Sequence, residues 1–187
     1  MQTVFIGLDS WIIQDGNYGD FRVGEEARFA LEFYPYRTSP AAGHDHQMIR
    51  QSGCRYRCQA RYAFLHKRVS VLDFGLLAYR ELRAPIEATL NDWVEVEIYL
   101  GIDPFFYTER LCDIPGMPPL AYDWRIERIR LETTPWLESR NERGQTVLTR
   151  DEALEAFREV PQTDAWTDDS GRAHYLLECR RIGGPCR

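Results

Sequence analysis

Residues 93–100, WVEVEIYL, alternate without a fault. Val94, Val96, Ile98 and Leu100 share one parity, and Trp93, Glu95, Glu97 and Tyr99 share the other. In a strand, successive side chains point to opposite faces, so this segment has one apolar and one polar face. A helix would scatter the same residues around its axis. The pattern recurs in RYRCQARYAF, where Tyr56, Cys58, Ala60, Tyr62 and Phe64 oppose Arg55, Arg57, Gln59 and Arg61. It recurs again in EEARFALEFYPY, where Ala27, Phe29, Leu31 and Phe33 face one way and Pro35 closes the strand.

The rest of the chain fits the same grammar. TVFIGLDSWII opens as a strand with a bend at Gly7, and VSVLDFGLLAY, apolar on both faces, reads as a central strand with a bulge or sharp bend at Gly75. WRIERIRLETTPW alternates with one irregularity, because Ile129 and Leu131 have the opposite parity to Trp124 and Ile126. TRDEALEAFREV is the segment with helical signals. Thr149 and Glu152 have capping-box spacing, Ala153, Leu154 and Phe157 make a stripe, and Pro161 follows. TDAWTDDSGRAHYLLECRRI reads as a hairpin turning at Asp169-Ser170-Gly171. Residues 37–47 and the proline-rich 113–123 are irregular. The expectation is a mainly β chain, a single domain over 1–187. It is an antiparallel β-barrel or sandwich of about six or seven strands, with one short helix near 150–159 and a C-terminal hairpin.

Composition narrows the function classes. A net charge of −6 opposes non-specific nucleic-acid binding, and no apolar run is long enough for a membrane-spanning helix. The 5 cysteines at irregular spacing do not form a disulfide framework, and the N-terminus lacks a secretory signal, so a cytoplasmic setting with reduced thiols is expected. Of 23 basic side chains only Lys67 is a lysine, a bias without a physical account. No phosphate-loop, dinucleotide or G-x-S-x-G motif occurs, and no cofactor is implied.

Candidate sites are few. IIQDGNYGDF holds Asp15, Asn17 and Asp20, but the middle of this stretch fails the calcium-loop pattern, and Asp-Gly and Asn favour a strand-to-strand reversal. His44, His46 and Cys54 are zinc-type ligands. Cys54 and Cys58 on one strand would lie about 13 Å apart, too far for one ion. Cys112 opens the proline-rich loop between Arg110 and Asp113, while Cys179 alternates into the core. Glu95 and Glu97 share a strand face with Arg55, Arg57 and Arg61 as cross-strand ion-pair partners. Aromatics make up 13% of the chain, an excess that suits a binding surface, with Tyr18, Tyr34, Trp136 and Trp166 as contact residues. The function expected is therefore a non-catalytic module binding a protein or a small-molecule ligand. The alternatives are an enzyme with a Glu/Tyr/Arg pocket at the barrel mouth and a metal-binding protein. An uncovered edge strand can pair two copies into a homodimer.

Overall fold

A computed structural model describes residues 3–186. The alternating segments form the strands expected of them. We number these β1 (Thr3–Asp9), β2 (Glu26–Phe29), β3 (Leu31–Pro40), β4 (Gln47–Ser52), β5 (Arg55–His66), β6 (Val69–Asp73), β7 (Leu77–Glu81), β8 (Trp93–Ile102), β9 (Tyr122–Glu132), β10 (Trp136–Arg140), β11 (Thr146–Arg150), β12 (Phe157–Val160) and β13 (His174–Arg181). β3, β7, β6, β5 and β8 pair in that order, and β8 returns to β3, closing a five-strand barrel. A second sheet continues from β8 through β1 and β13 to β9, which carries β12 and β2. β10 and β11 form a separate hairpin. No helix among the described residues is long and apolar enough to cross a membrane.

The alternation decides what fills the interior. Val96, Ile98 and Leu100 of β8, and Tyr56, Cys58 and Ala60 of β5, are all 4% exposed or less. They merge with Ile6 and Leu8 of β1, Trp124 and Ile126 of β9, and Tyr175 and Leu177 of β13 into one continuous core. The opposite face of β5 and β8 is polar, and Arg57 Nε donates to Glu95 at 2.6 Å across it, as the strand pattern anticipates. A second apolar cluster lies outside the barrel wall. There Ile114, Met117 and Leu120 of the proline-rich segment cover Val69, Val71 and Tyr79. That segment is irregular, as expected, yet firmly packed.

The irregularity foreseen in β9 is a bulge. Glu178 pairs with Arg128 and Cys179 with Ile126, so Glu127 is the extra residue and the parity of β9 switches there. Pro35, however, does not end its strand. β3 runs on to Pro40 through a second bulge, where Pro35 opposes Ile98 and Arg37 opposes Glu97, leaving Tyr36 unpaired. A proline cannot donate to the ladder, and a bulge removes the need.

Several expectations are corrected. The barrel and its sheet use more strands than six or seven, because bulges and turns cut long alternating runs into shorter pieces. Gly75 is one such turn. At φ +93 it reverses the chain between β6 and β7, so the bulge or sharp bend expected within one strand is a full reversal between two. The helix near 150–159 does not form. Asn141 Oδ1 accepts from the amides of Arg143 and Gln145, folding a turn that pairs Thr146–Arg150 with Trp136–Arg140. Phe157–Val160 then pairs with β9. Between these ladders only one 3₁₀ turn fits, its amide at Ala153 capped by Asp151, and Leu154 of the supposed apolar stripe is 58% exposed. Sheet pairing overrides the local helical signals. The C-terminal hairpin is also absent. The left-handed turn at Asp169, Ser170 and Gly171 exists, but both edges of β13 are taken by β1 and β9. Residues 163–165 are instead held by Asp20 Oδ1, which accepts from Thr163 Oγ1 at 2.8 Å and from the Ala165 amide at 3.0 Å. Thus IIQDGNYGDF does reverse the chain between β1 and β2. It begins with a helical turn, α1 (Ser10–Gln14), and contributes an anchor rather than a metal loop.

Ile98 is fully buried and Ile49 is 52% exposed. Ile98→Ala is expected to lower stability by about 2–5 kcal/mol, and Ile49→Ala by less than about 0.5 kcal/mol. Chemical denaturation of the two variants checks the inside–outside assignment, and equal losses would refute it.

Candidate functional site

The site follows from a change of partner along β8. At its start β8 pairs with β5, and the last rung on that side is the Leu100 amide donating to the Cys54 carbonyl at 3.0 Å. One residue later Gly101 pairs with Gly7 of β1. Where β5 parts from β8 and β1 joins it, the outer surface opens into a cleft of about 580 Å³. Barrel residues line one side, with Tyr36, Cys54, Arg55 and Tyr99. The second sheet and the hairpin line the other, with Asp9, His174, Phe157, Trp136, Arg150 and Arg172. The cleft therefore lies against the barrel wall. The barrel mouth is not its place, because the interior is filled by side chains.

Its floor is a chain of polar groups. Asp9 and His174 are directly paired residues of β1 and β13, and His174 Nδ1 meets Asp9 Oδ1 at 2.9 Å. The Cys54 thiol interacts with the imidazole and with the Tyr99 hydroxyl, and the Tyr99 and His174 ring centroids are 6.0 Å apart. Burial disfavours a charged ring here, but the hydrogen bonds and charges of Asp9 and Cys54 outweigh it and push the His174 pKa up to about 10. Burial, with Cys54 beside it, holds the Tyr99 phenol protonated. Gly7 makes the arrangement possible. A methyl on its Cα would collide with the Tyr99 hydroxyl and lie 3.1 Å from Cys54 Sγ.

The opposite wall is aromatic and cationic. The Arg150 guanidinium stacks on Trp136 at 3.7 Å from the ring centroid and pairs with Asp169. Its Nε is buried without a hydrogen-bond acceptor, with Glu132 at 3.9 Å. Arg172 is exposed at the rim, 5.9 Å from the Trp136 ring, and Arg55 reaches over Tyr36 at 5.3 Å.

Of the contact residues expected from sequence, Trp136 is in the cleft wall. Tyr34 is 47% exposed beside Tyr99, with ring centroids 5.9 Å apart, and its hydroxyl donates to Glu32 at 2.7 Å. Tyr18 is half-buried and packs edge-on against Phe105 at 5.7 Å. Trp166 is 67% exposed and does not line the cleft. His44 and His46 lie against Trp93, at 5.6 and 5.0 Å between ring centroids. Trp93 and the Leu100 rung with Cys54 are about 20 Å apart along β8. Among the described residues no three His, Cys, Asp or Glu side chains gather as a metal site. Asp9 and His174 were not singled out by sequence. They are far apart in the chain, and no local spacing marks them. Only the outward parity of His174, opposite Tyr175 and Leu177, could have hinted that it faces away from the core.

No protein-family model, curated protein or solved structure matches this chain.

A second titrating cluster adjoins the cleft. Glu32 is 5% exposed, and burial pushes its carboxyl up to about 7 although the Tyr34 hydroxyl hydrogen bond pulls the other way. Asp103, hydrogen-bonded by Tyr79 and by the Tyr107 amide, is raised by burial to about 6. A folded-state value above the ordinary 4.5 means that folded Glu32 keeps a proton the unfolded chain releases. The associated stability is present at low pH and lost as pH rises through the folded value. Glu32→Gln is therefore expected to reduce the loss of stability between about pH 5 and about pH 8 by on the order of 2 kcal/mol. Denaturant midpoints across that range check it, and superimposable pH profiles of variant and parent would refute it.

Proposed function

We propose that this protein is a small-molecule-binding β-barrel module, and that the ligand occupies the cleft between the barrel wall and the β10–β11 hairpin. The observation that carries the reading is the cleft itself. At about 580 Å³ it falls in the range of ligand pockets, and it combines aromatic walls with a few convergent polar groups. Tyr36, Trp136 and Phe157 offer flat apolar surface for a planar or acyl body. Arg172 and Arg55 at the rim suit an anionic group on the ligand. Arg172 has no ion-pair partner among the described residues, and the unsatisfied Arg150 Nε adds a buried donor in the wall. Chain-wide acidity does not oppose this, because recognition depends on the local field.

Dansylglycine, an aromatic carboxylate, is a suitable probe. It is expected to bind the parent protein, with Trp136→Ala and Arg172→Ala each weakening binding about tenfold, the range of a lost aromatic or charge-assisted contact. Trp166→Ala, whose indole lies outside the cleft, leaves binding unchanged. Fluorescence titration reads all four proteins, and equal affinities across them would refute the location.

A further inference from the structure

The floor of the cleft holds the parts of a nucleophilic site, in an order of residues that no sequence spacing reveals. Cys54 Sγ is the nucleophile type, His174 the base type, and Asp9 the group that orients the base. One strand ladder fixes Asp9 and His174, and another fixes Cys54. Asp9 and His174 face each other across the β1–β13 pair, with Nδ1 to Oδ1 at 2.9 Å. Nδ1 is engaged by Asp9 Oδ1, which leaves the other ring nitrogen free to exchange a proton. Cys54 sits at the start of β5, its carbonyl held by the Leu100 amide. The residue is 4% exposed and lines the cleft, so the side on which it can be approached is the cleft side. The Tyr99 hydroxyl stands beside the sulfur and can donate to an oxyanion. Cys58 and Cys179, by contrast, are buried in the apolar core without such partners, and burial alone raises Cys58.

We infer that Cys54, His174 and Asp9 form a thiol-dependent acyl-transfer site acting on carboxylic esters or thioesters whose acyl or leaving group carries an aromatic or anionic body. This rests on the cleft being a small-molecule site. In the first step His174 holds the proton of the Cys54 thiol while the sulfur attacks the carbonyl carbon. A C–S bond forms, and the carbonyl π pair moves to oxygen, where Tyr99 donates. On collapse the bond to the leaving oxygen or sulfur breaks, and His174 gives that atom its proton. Water then attacks the acyl-cysteine, passing a proton to His174. The C–S bond breaks, releasing a carboxylic acid and returning Cys54 and His174 to their starting state. No electrons enter or leave overall. Asp9 is a positioning residue in this sequence, holding the imidazole tautomer and orientation.

Two measurements test the inference. In the first, iodoacetamide labels the protein at about pH 6, and peptide mass mapping compares Cys54 with Cys112 and Cys186, the two half-exposed thiols of the same chain. Cys54 is expected to react at least tenfold faster, because of the three thiols it is the one that shares the cleft with the His174–Asp9 pair. Asp9→Asn, at a residue whose side chain is 49% exposed, and His174→Gln should each remove most of that advantage while melting with the parent's cooperativity. In the second, 4-nitrophenyl acetate is expected to leave an acetyl group on Cys54 and to release more than one equivalent of 4-nitrophenolate, with both effects abolished in Cys54→Ser. Cys54 reacting no faster than the other two thiols, or an acetyl group found only elsewhere, would overturn the proposal. Cys54→Ser keeps the cleft walls. If it binds dansylglycine like the parent, a failure of the chemistry is a failure of this inference alone. If no variant or parent binds the probe while Cys54 is still acylated, the ligand reading fails and the thiol site stands.

Discussion

The exchange of partners along β8 governs this molecule. One strand serves as a wall of the barrel and as the root of the second sheet, and the handover takes place within two residues. Leu100 still donates to Cys54 at the head of β5, and Gly101 already pairs with Gly7 of β1. Antiparallel β5 and parallel β1 cannot both occupy the same edge of β8, so the surface must part there. The cleft is the consequence of that parting. Gly7 is the local requirement, because the Tyr99 ring lies where any side chain on Gly7 would be. A Cβ at that point would displace the Tyr99 ring and crowd the Cys54 sulfur.

Bulges then aim the side chains. The bulge at Tyr36 leaves that residue outside the β3–β8 ladder and turns it into the cleft. The bulge at Glu127 resets β9 so that Ile129 and Leu131 stay in the core. The same economy of space explains the polar floor. Outward positions of β1, β13 and β8 would face solvent in a free sheet. Here they face the hairpin and one another, and the polar groups interact in series: Asp9 with His174, His174 with Cys54, Cys54 with Tyr99. Buried polar groups of this kind are stable only as a connected set. Glu32 and Asp103 continue the theme, their carboxyl pKa values raised by burial and each accepting a tyrosine hydroxyl, from Tyr34 and from Tyr79.

Much of the fold was legible in sequence because a half-buried sheet writes its two faces directly into alternating residues. Val94 to Leu100 and Tyr56 to Ala60 are interior as the pattern requires, and the parity switch in β9 marked its bulge. Misreadings arose where local and tertiary preferences compete. Thr149 to Phe157 carries helical spacing, yet the turn at Asn141 and the open edge of β9 draw it into two ladders. The candidate site was legible only in its hairpin part. Trp136 stood out as a large aromatic, and Cys54 stood out as an alternative metal ligand with His44 and His46, which pack against Trp93 at the other end of β8. What makes Cys54 distinctive is its contact with His174 and Tyr99. That contact comes from strand pairing between distant parts of the chain, and no nearby residue announces it.

Site-resolved hydrogen exchange of the Leu100 amide is the most direct measure of the shared strand. If β8 joins the barrel to the second sheet as described, this amide exchanges as slowly as those of the central core strands and opens only with global unfolding. Exchange of Leu100 orders of magnitude faster than that of its β8 neighbours would show that the Cys54 rung is open, and would contradict a cleft that originates in the parting of β5 from β8.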